Sequence, residues 1–127
     1  MGGDELLDDG EFVSQHDFLV GVGDQRLRRR LAALVRENGG TLTSVVHPSA
    51  VVAPDVRIGV GTVVLAGSVI NTGAALGDLV IVQIGATVDH DDVLEDGVQV
   101  CPGAVVIADV PLDVTAVGSH AKIIKHR

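Results

Sequence analysis

The chain has 127 residues, 46% of them hydrophobic and only 2% aromatic, with a net charge of −8 and a pI near 4.8. Length and composition suit one compact unit whose core is made of Val, Ile, Leu and Ala, and a core with so few large rings has to be filled by regular repetition. The acidic balance supplies no broad basic face for a phosphate backbone, which argues against nucleic acid as a partner, and no apolar run reaches the length of a bilayer span. The opening MGGDELLDDGEF is acidic where a secretory leader is basic and then apolar, so the cytoplasm is the expected compartment. Cys101 is the only cysteine; no intrachain disulfide can form, and the thiol reads as a small filler.

Residues 1–44 form the first region by texture. After the acidic start, DFLVGVG from Asp17 to Gly23 reads as a short buried strand ending in glycines. The string DQRLRRRLAALVREN from Asp24 to Asn38 predicts a helix. It places Leu27, Leu31, Leu34 and Val35 on one face, with Asp24 as N-cap and Gly39 and Gly40 as the stop. TLTSVV then returns as a strand, completing a β-α-β fragment of the shape that makes up half of a nucleotide-binding domain. At its strand-to-helix junction, Gly21, Gly23 and Asp24 are candidates for holding a substrate phosphate or ribose at the helix N-terminus, although a tight turn by itself asks for most of these residues. Arg26, Arg28, Arg29 and Arg30 circle the helix, so most of them face water, with one or two free to pair with a neighbouring subunit.

Residues 45–110 carry the decisive pattern. Stepping by six from Val46 gives Val52, Ile58, Val64, Ile70, Leu76, Val82, Val88, Leu94, Val100 and Val106, all aliphatic. Four places after each comes a second series: Ala50, Val56, Thr62, Ser68, Ala74, Val80, Ala86, Asp92, Val98, Ala104 and Val110. Every member but Asp92 is small or β-branched. A helix cannot give this, because six is not a multiple of 3.6, and a sandwich would show turn signals out of step with six. A triangular solenoid does give it: each hexapeptide lays one aliphatic residue inward on a flat face, and the small residue turns the corner. The fold class predicted is therefore mainly β, a left-handed parallel β-helix of hexapeptide repeats preceded by a small β-α-β fragment. Three hexapeptides make a coil, so Val46, Val64, Val82 and Val100 stack in one column, Val52, Ile70, Val88 and Val106 in the next, and Ile58, Leu76 and Leu94 in the third. Fewer than four coils, at about 4.8 Å each, leave much edge surface open, which favours association with closed cyclic symmetry.

Residues 111–127, PLDVTAVGSHAKIIKHR, read as a C-terminal strand and loop tail. Pro111 is expected to end the ladder, and the basic tip with Lys122, Lys125 and Arg127 either meets ligand phosphates or is simply solvated.

Three segments carry a family resemblance. These are HPSAVV at His47–Val52, ATVDHDDVLEDGVQVCPGA at Ala86–Ala104, and the closing AVGSHAKII. Together with the β-α-β fragment they resemble the sialic acid O-acetyltransferase-like sugar acyltransferases of the hexapeptide-repeat type, whose relatives N-acetylate 4-amino nucleotide sugars. The resemblance implies a homotrimer, acetyl-CoA as co-substrate and a sugar or nucleotide-sugar acceptor. It implies His90 as general base, since an amine or hydroxyl attacking a thioester must lose a proton, and Asp91 as the carboxylate that orients it. It places Gln99 and the backbone N–H of Ala108, eighteen residues beyond His90, on the acetyl-CoA side, with Ala108 meeting the oxyanion. Asp89, Asp91 and Asp92 all flank His90. Three carboxylates would favour its protonated form, so either one of them turns away or His90 is weakened as a base at neutral pH.

The sequence also departs from the family pattern. Gln99 stands where many relatives have a second histidine, His120 replaces the proline of the final loop, and the family's N-terminal phosphate loop has no counterpart before Asp17. Relatives have more coils between PGA and the final loop, and those coils help form the acetyl-CoA site. A second reading is therefore a non-catalytic trimeric scaffold, or a shortened relative without turnover. A third is a zinc hydratase on the same solenoid, which needs three histidines, here His47, His90 and His120, brought together by a trimer; with no close histidine pair, no metal is expected.

Overall fold

The computed structural model describes residues 17–18, 25–118 and 121–125. Strand β1 (Asp17–Phe18) pairs in parallel with β2 (Thr41–Leu42), and helix α1 (Gln25–Glu37) connects them, as the sequence predicts for a β-α-β fragment. The helix stops where its glycines say it should. Gly39 takes a left-handed φ of 79°, its N–H donates to the Arg36 carbonyl, and the Gly40 N–H reaches back to that of Val35. Among the described side chains of the helix, Ala32 and Val35 are buried, with Leu31 and Leu34 half-buried beside them.

From Val45 to Val106 the chain is a left-handed parallel β-helix, with strands of two residues on three faces. Face one holds β3 (Val45–Val46), β6 (Val63–Val64), β9 (Ile81–Val82) and β12 (Gln99–Val100). Face two holds β4 (Val51–Val52), β7 (Val69–Ile70), β10 (Thr87–Val88) and β13 (Val105–Val106), and face three β5 (Arg57–Ile58), β8 (Ala75–Leu76) and β11 (Val93–Leu94). The registers stack the three aliphatic columns as the hexad predicts, for instance Val46 on Val64 on Val82 on Val100. The second residue of each strand points into a continuous core in which Val64, Val82, Val88, Leu94 and Val100 have no exposed surface. Alternation sends the first residue outward. Val63 and Ile81 on face one are nevertheless buried. On that side Leu42 of β2 and Leu79 close over Gly61, and Arg29 of α1 forks onto Asp113 at 2.9 Å, tying the helix to the last coil.

Eight of the corners are built from a left-handed residue three places after an aliphatic one. Gly61, Gly67, Gly73, Gly85, Gly97 and Gly103 fill six of them with φ of 69–76°, and Leu79 and Asp91 fill two more at 58° and 61°. Gly59, outside this series, is needed for a different reason: a Cβ there would fall inside the backbone carbonyl of Gly77 on the next coil. Neither backbone can withdraw without opening the ladder. Gly59→Ala is therefore expected to cost about 1–3 kcal/mol, seen as a lower denaturant midpoint at unchanged m-value.

The ladder does not stop at Pro111. Val88 still faces Val106, but Leu94 faces Val110, and Gln99 and Val100 face Thr115 and Ala116 of β14 (Val114–Val117). The fourth coil is two residues shorter than the others, because the hexapeptide Asp89–Leu94 is answered above by only four residues, Ile107–Val110. Val110, which the hexad series makes a corner residue, instead enters the aliphatic column over Leu94 and is buried. Pro111, lying between strands, gives up no ladder hydrogen bond, so the stack resumes beyond it. A final antiparallel strand, β15 (Lys122–Lys125), then covers the top edge of face one. Among the described residues no helix is long and apolar enough to cross a membrane.

Candidate active site

The corner between β10 and β11 is Asp89–His90–Asp91–Asp92. Asp91 occupies the left-handed place that most other corners give to glycine. An Asp tolerates that conformation better than most residues, since its short side chain bonds locally. The turn carries the side chains of His90 and Asp91 outward, 68% and 76% exposed, with His90 Nδ1 3.2 Å from Asp91 Oδ2. The His90 backbone N–H donates to Asp89 Oδ1 at 2.8 Å, which fixes the corner from the other side. Gly73, one coil below, has a role the sequence reading missed: a methyl group on it would push the Asp91 carboxylate aside from its present position, and its own left-handed φ of 76° favours glycine.

With Nδ1–H donating to Asp91, the lone pair of His90 lies on Nε2, the nitrogen available to take a proton from solvent or substrate. The hydrogen bond to Asp91 is the largest cause holding the imidazole pKa above its ordinary value, followed by the charge of Asp89. The expected crowding of carboxylates is thus present, and one of them does turn away: Asp92 points into the solenoid and is 7% exposed. Burial is also the main cause that raises its own pKa. A raised pKa keeps His90 protonated to higher pH, so removing the bonded charge works in the opposite direction. Asp91→Asn, which fits the same backbone conformation, is expected to shift the His90 titration to lower pH, followed through the imidazole C2–H resonance. A titration that stays in place would separate Asp91 from His90.

No family model matches the chain. Solved structures do. The acetyltransferase domain of PglB from Neisseria gonorrhoeae is 31% identical over 98% of this chain and 78% of its own, with a TM-score of 0.74; a second structure of that domain, in complex with acetyl coenzyme A, gives 0.72. The chain belongs to the hexapeptide-repeat sugar acetyltransferases. A mutant of GDP-perosamine N-acetyl transferase from Caulobacter crescentus, in complex with CoA and GDP-perosamine, is 30% identical over 99% of this chain and 77% of its own, with a TM-score of 0.56.

In this sugar acetyltransferase, one chain does not bring all the sequence candidates together. Gln99 lies outward on face one, which is opposite the edge between faces two and three that carries His90. It is half-buried, and its Oε1 has no hydrogen-bond partner. Ala108 is exposed, but the register eighteen residues beyond His90 is not kept, since Ala108 falls in the shortened turn after Val106. It lines a recess of about 60 Å³ with Ile107, Asp109, Val110 and Ala116. In the same turn Asp109 Oδ1 accepts the Val93 N–H at 2.8 Å. A larger recess of about 370 Å³ on face three is lined by Arg57, Ala75, Val93, Glu95 and Leu112 among others, and His90 lines neither. Gly21, Gly23, Asp24 and His120 lie outside the described residues. His47 sits at a corner of the first coil, bonded to Ser49, and among the described residues no group of three His, Cys, Asp or Glu side chains is arranged to hold a metal.

Proposed function

We propose that this protein transfers an acetyl group from acetyl-CoA to an amino or hydroxyl group of a sugar, carried on a nucleotide, with His90 as general base. The observation that carries the proposal is the exposed His90–Asp91 pair at a corner of a solenoid that matches an acetyl-CoA-binding domain over nearly its whole length. The acceptor nitrogen or oxygen gives its proton to His90 Nε2 as it attacks the thioester carbon. The tetrahedral oxyanion is met by a backbone N–H of the shortened turn, for which Ala108 is the candidate. Collapse expels the CoA thiolate, which recovers the proton from the imidazolium, leaving acetylated sugar and free CoA. Asp91 holds the ring by Nδ1 and stabilises its charged form.

A homotrimer supports this chemistry. Three prisms around a common axis would set the Gln99 face of one chain against the His90 edge of the next, and outward Val51, Ile84 and Ile107, each at least half exposed, offer apolar surface for such contact. The second reading, a shortened relative that keeps the fold without turnover, is favoured by one observation, the reduced coil immediately above His90. Release of CoA thiol from acetyl-CoA, measured with nucleotide-linked amino sugars, nucleotide-linked neutral sugars and free sugars, decides between them. Acceptor-dependent release is expected. No release with any acceptor, together with no calorimetric heat on adding acetyl-CoA, would leave the inactive scaffold.

A further inference from the structure

Asp92 breaks a rule that its equivalents keep. At the same place in two other corners stand Thr62 and Ser68, both buried, and each donates its hydroxyl to a backbone carbonyl fifteen residues on: Thr62 to Gly77 at 2.7 Å and Ser68 to Gln83 at 2.8 Å. The same spacing from Asp92 reaches Ile107. The register still holds there, because Val106 faces Val88 and accepts the Asp89 N–H. Where a hydroxyl has a proton to give, a carboxylate has none. Asp92 Oδ2 is buried and without a hydrogen-bond partner. The donor that serves the Thr62 corner is also missing. Val80 offers its N–H to Thr62, but the corresponding Val110 N–H, after the two-residue shortening, bonds to the Val93 carbonyl.

We propose that Asp92 stays a neutral carboxylic acid in the folded protein and donates its proton to the Ile107 carbonyl, acting as a positioning residue that holds the His90 corner against the shortened turn. It thereby takes the part that Thr62 and Ser68 play elsewhere. The charges facing it point the same way. Burial, Asp89 on its own corner and Asp109 on the next coil favour the protonated form, against the weaker opposing effects of His90 and the Asp89 N–H. An ionised carboxylate left dry beside two others is costly, and holding the proton removes that cost.

The placement of the proton is independent of the proposed acetyl transfer; only the service to His90 rests on that reading. The test is the side-chain carboxyl carbon resonance of Asp92 in the full chain, assigned by its loss in Asp92→Asn. It is expected to keep the shift of a neutral acid as pH rises above the reference aspartate pKa of about 4. Titration in step with the exposed aspartates would overturn the proposal. Because Asp92's folded pKa is raised, its stabilising contribution is present below the unfolded pKa and lost as pH rises through the folded one. The wild-type melting temperature is therefore expected to fall relative to Asp92→Asn and Asp92→Ser, which both keep a donor, as pH rises past the reference aspartate pKa and on through the raised one. The imidazole titration of His90, with the coulombic contribution of Asp92 allowed for, is expected to be alike in those two variants and displaced in Asp92→Val, which fills the space without a donor. Equal pH profiles for wild type and Asp92→Asn, or a Val variant indistinguishable from the Ser one, would overturn the positioning role.

Discussion

Replacing His90 with Ala is expected to lower acceptor-dependent release of CoA thiol by about 10²- to 10⁴-fold, the usual range for loss of a general base. The melting temperature is expected to stay within a degree or two of wild type. These two expectations belong together because of where the side chain lies. His90 is mostly exposed, and its side-chain partner, Asp91, is more exposed still, so the imidazole contributes little to the fold. A structural histidine would give the reverse, a lower melting temperature with the rate of the surviving protein intact. The pH profile adds a second check: the acid limb of kcat/KM should vanish in the variant, because the group that must be deprotonated is gone. Thiol release that persists at the wild-type rate would remove His90 from the mechanism.

Leu94→Ala is the substitution expected to do most damage to the fold, at about 2–5 kcal/mol. Leu94 has no exposed surface, stands over Leu76, and carries Val110 above it. Backbone hydrogen bonds on both sides prevent the coils from closing on the cavity, which places the loss toward the upper part of that range. Val93, its neighbour on the same strand, is 42% exposed on the outer surface. Val93→Ala is expected to change stability by less than about 0.5 kcal/mol in the same denaturant titration at fixed protein concentration. Equal effects at the two positions would contradict the inward and outward alternation on which the core rests.

The aliphatic columns were legible in the sequence because burial demands one kind of residue at every sixth place, and the demand repeats often enough to stand out. The corners left a fainter trace. Glycines at 61, 67, 73, 85, 97 and 103 fall at one phase of the hexad and announce the left-handed turns, whereas Asp91 signals the same conformation only weakly and Leu79 not at all. The shortened fourth coil was hidden for another reason. Val110 and Ala116 are both acceptable in either series, so the pattern runs through the missing pair without interruption, and Pro111 looks like an end when it is only a bend. Of the site, His90 and Asp91 could be read from a local motif, since neighbours in sequence are neighbours at a corner. Gln99 could not be placed against them, because which face a residue occupies depends on counting strands around the prism. Asp92 was visible as the one exception in the small series, and its burial shows that the exception has a physical content.

The final strand, β15, has a consequence for how copies of this protein can meet. A parallel β-helix has two unlike ends, and if both are open, each can receive the opposite end of another copy and the stack can lengthen without limit. Here the antiparallel β15, bounded by Lys122 and Lys125, lies across the upper edge of face one and presents the wrong chain direction for a further coil. The lower edge, with Val45, Val46 and Val51 exposed, has no such covering strand among the described residues. Sealing one end is enough: two copies can approach through their lower ends, but on this face neither then offers a site for a third, and filament growth is cut off at its second step.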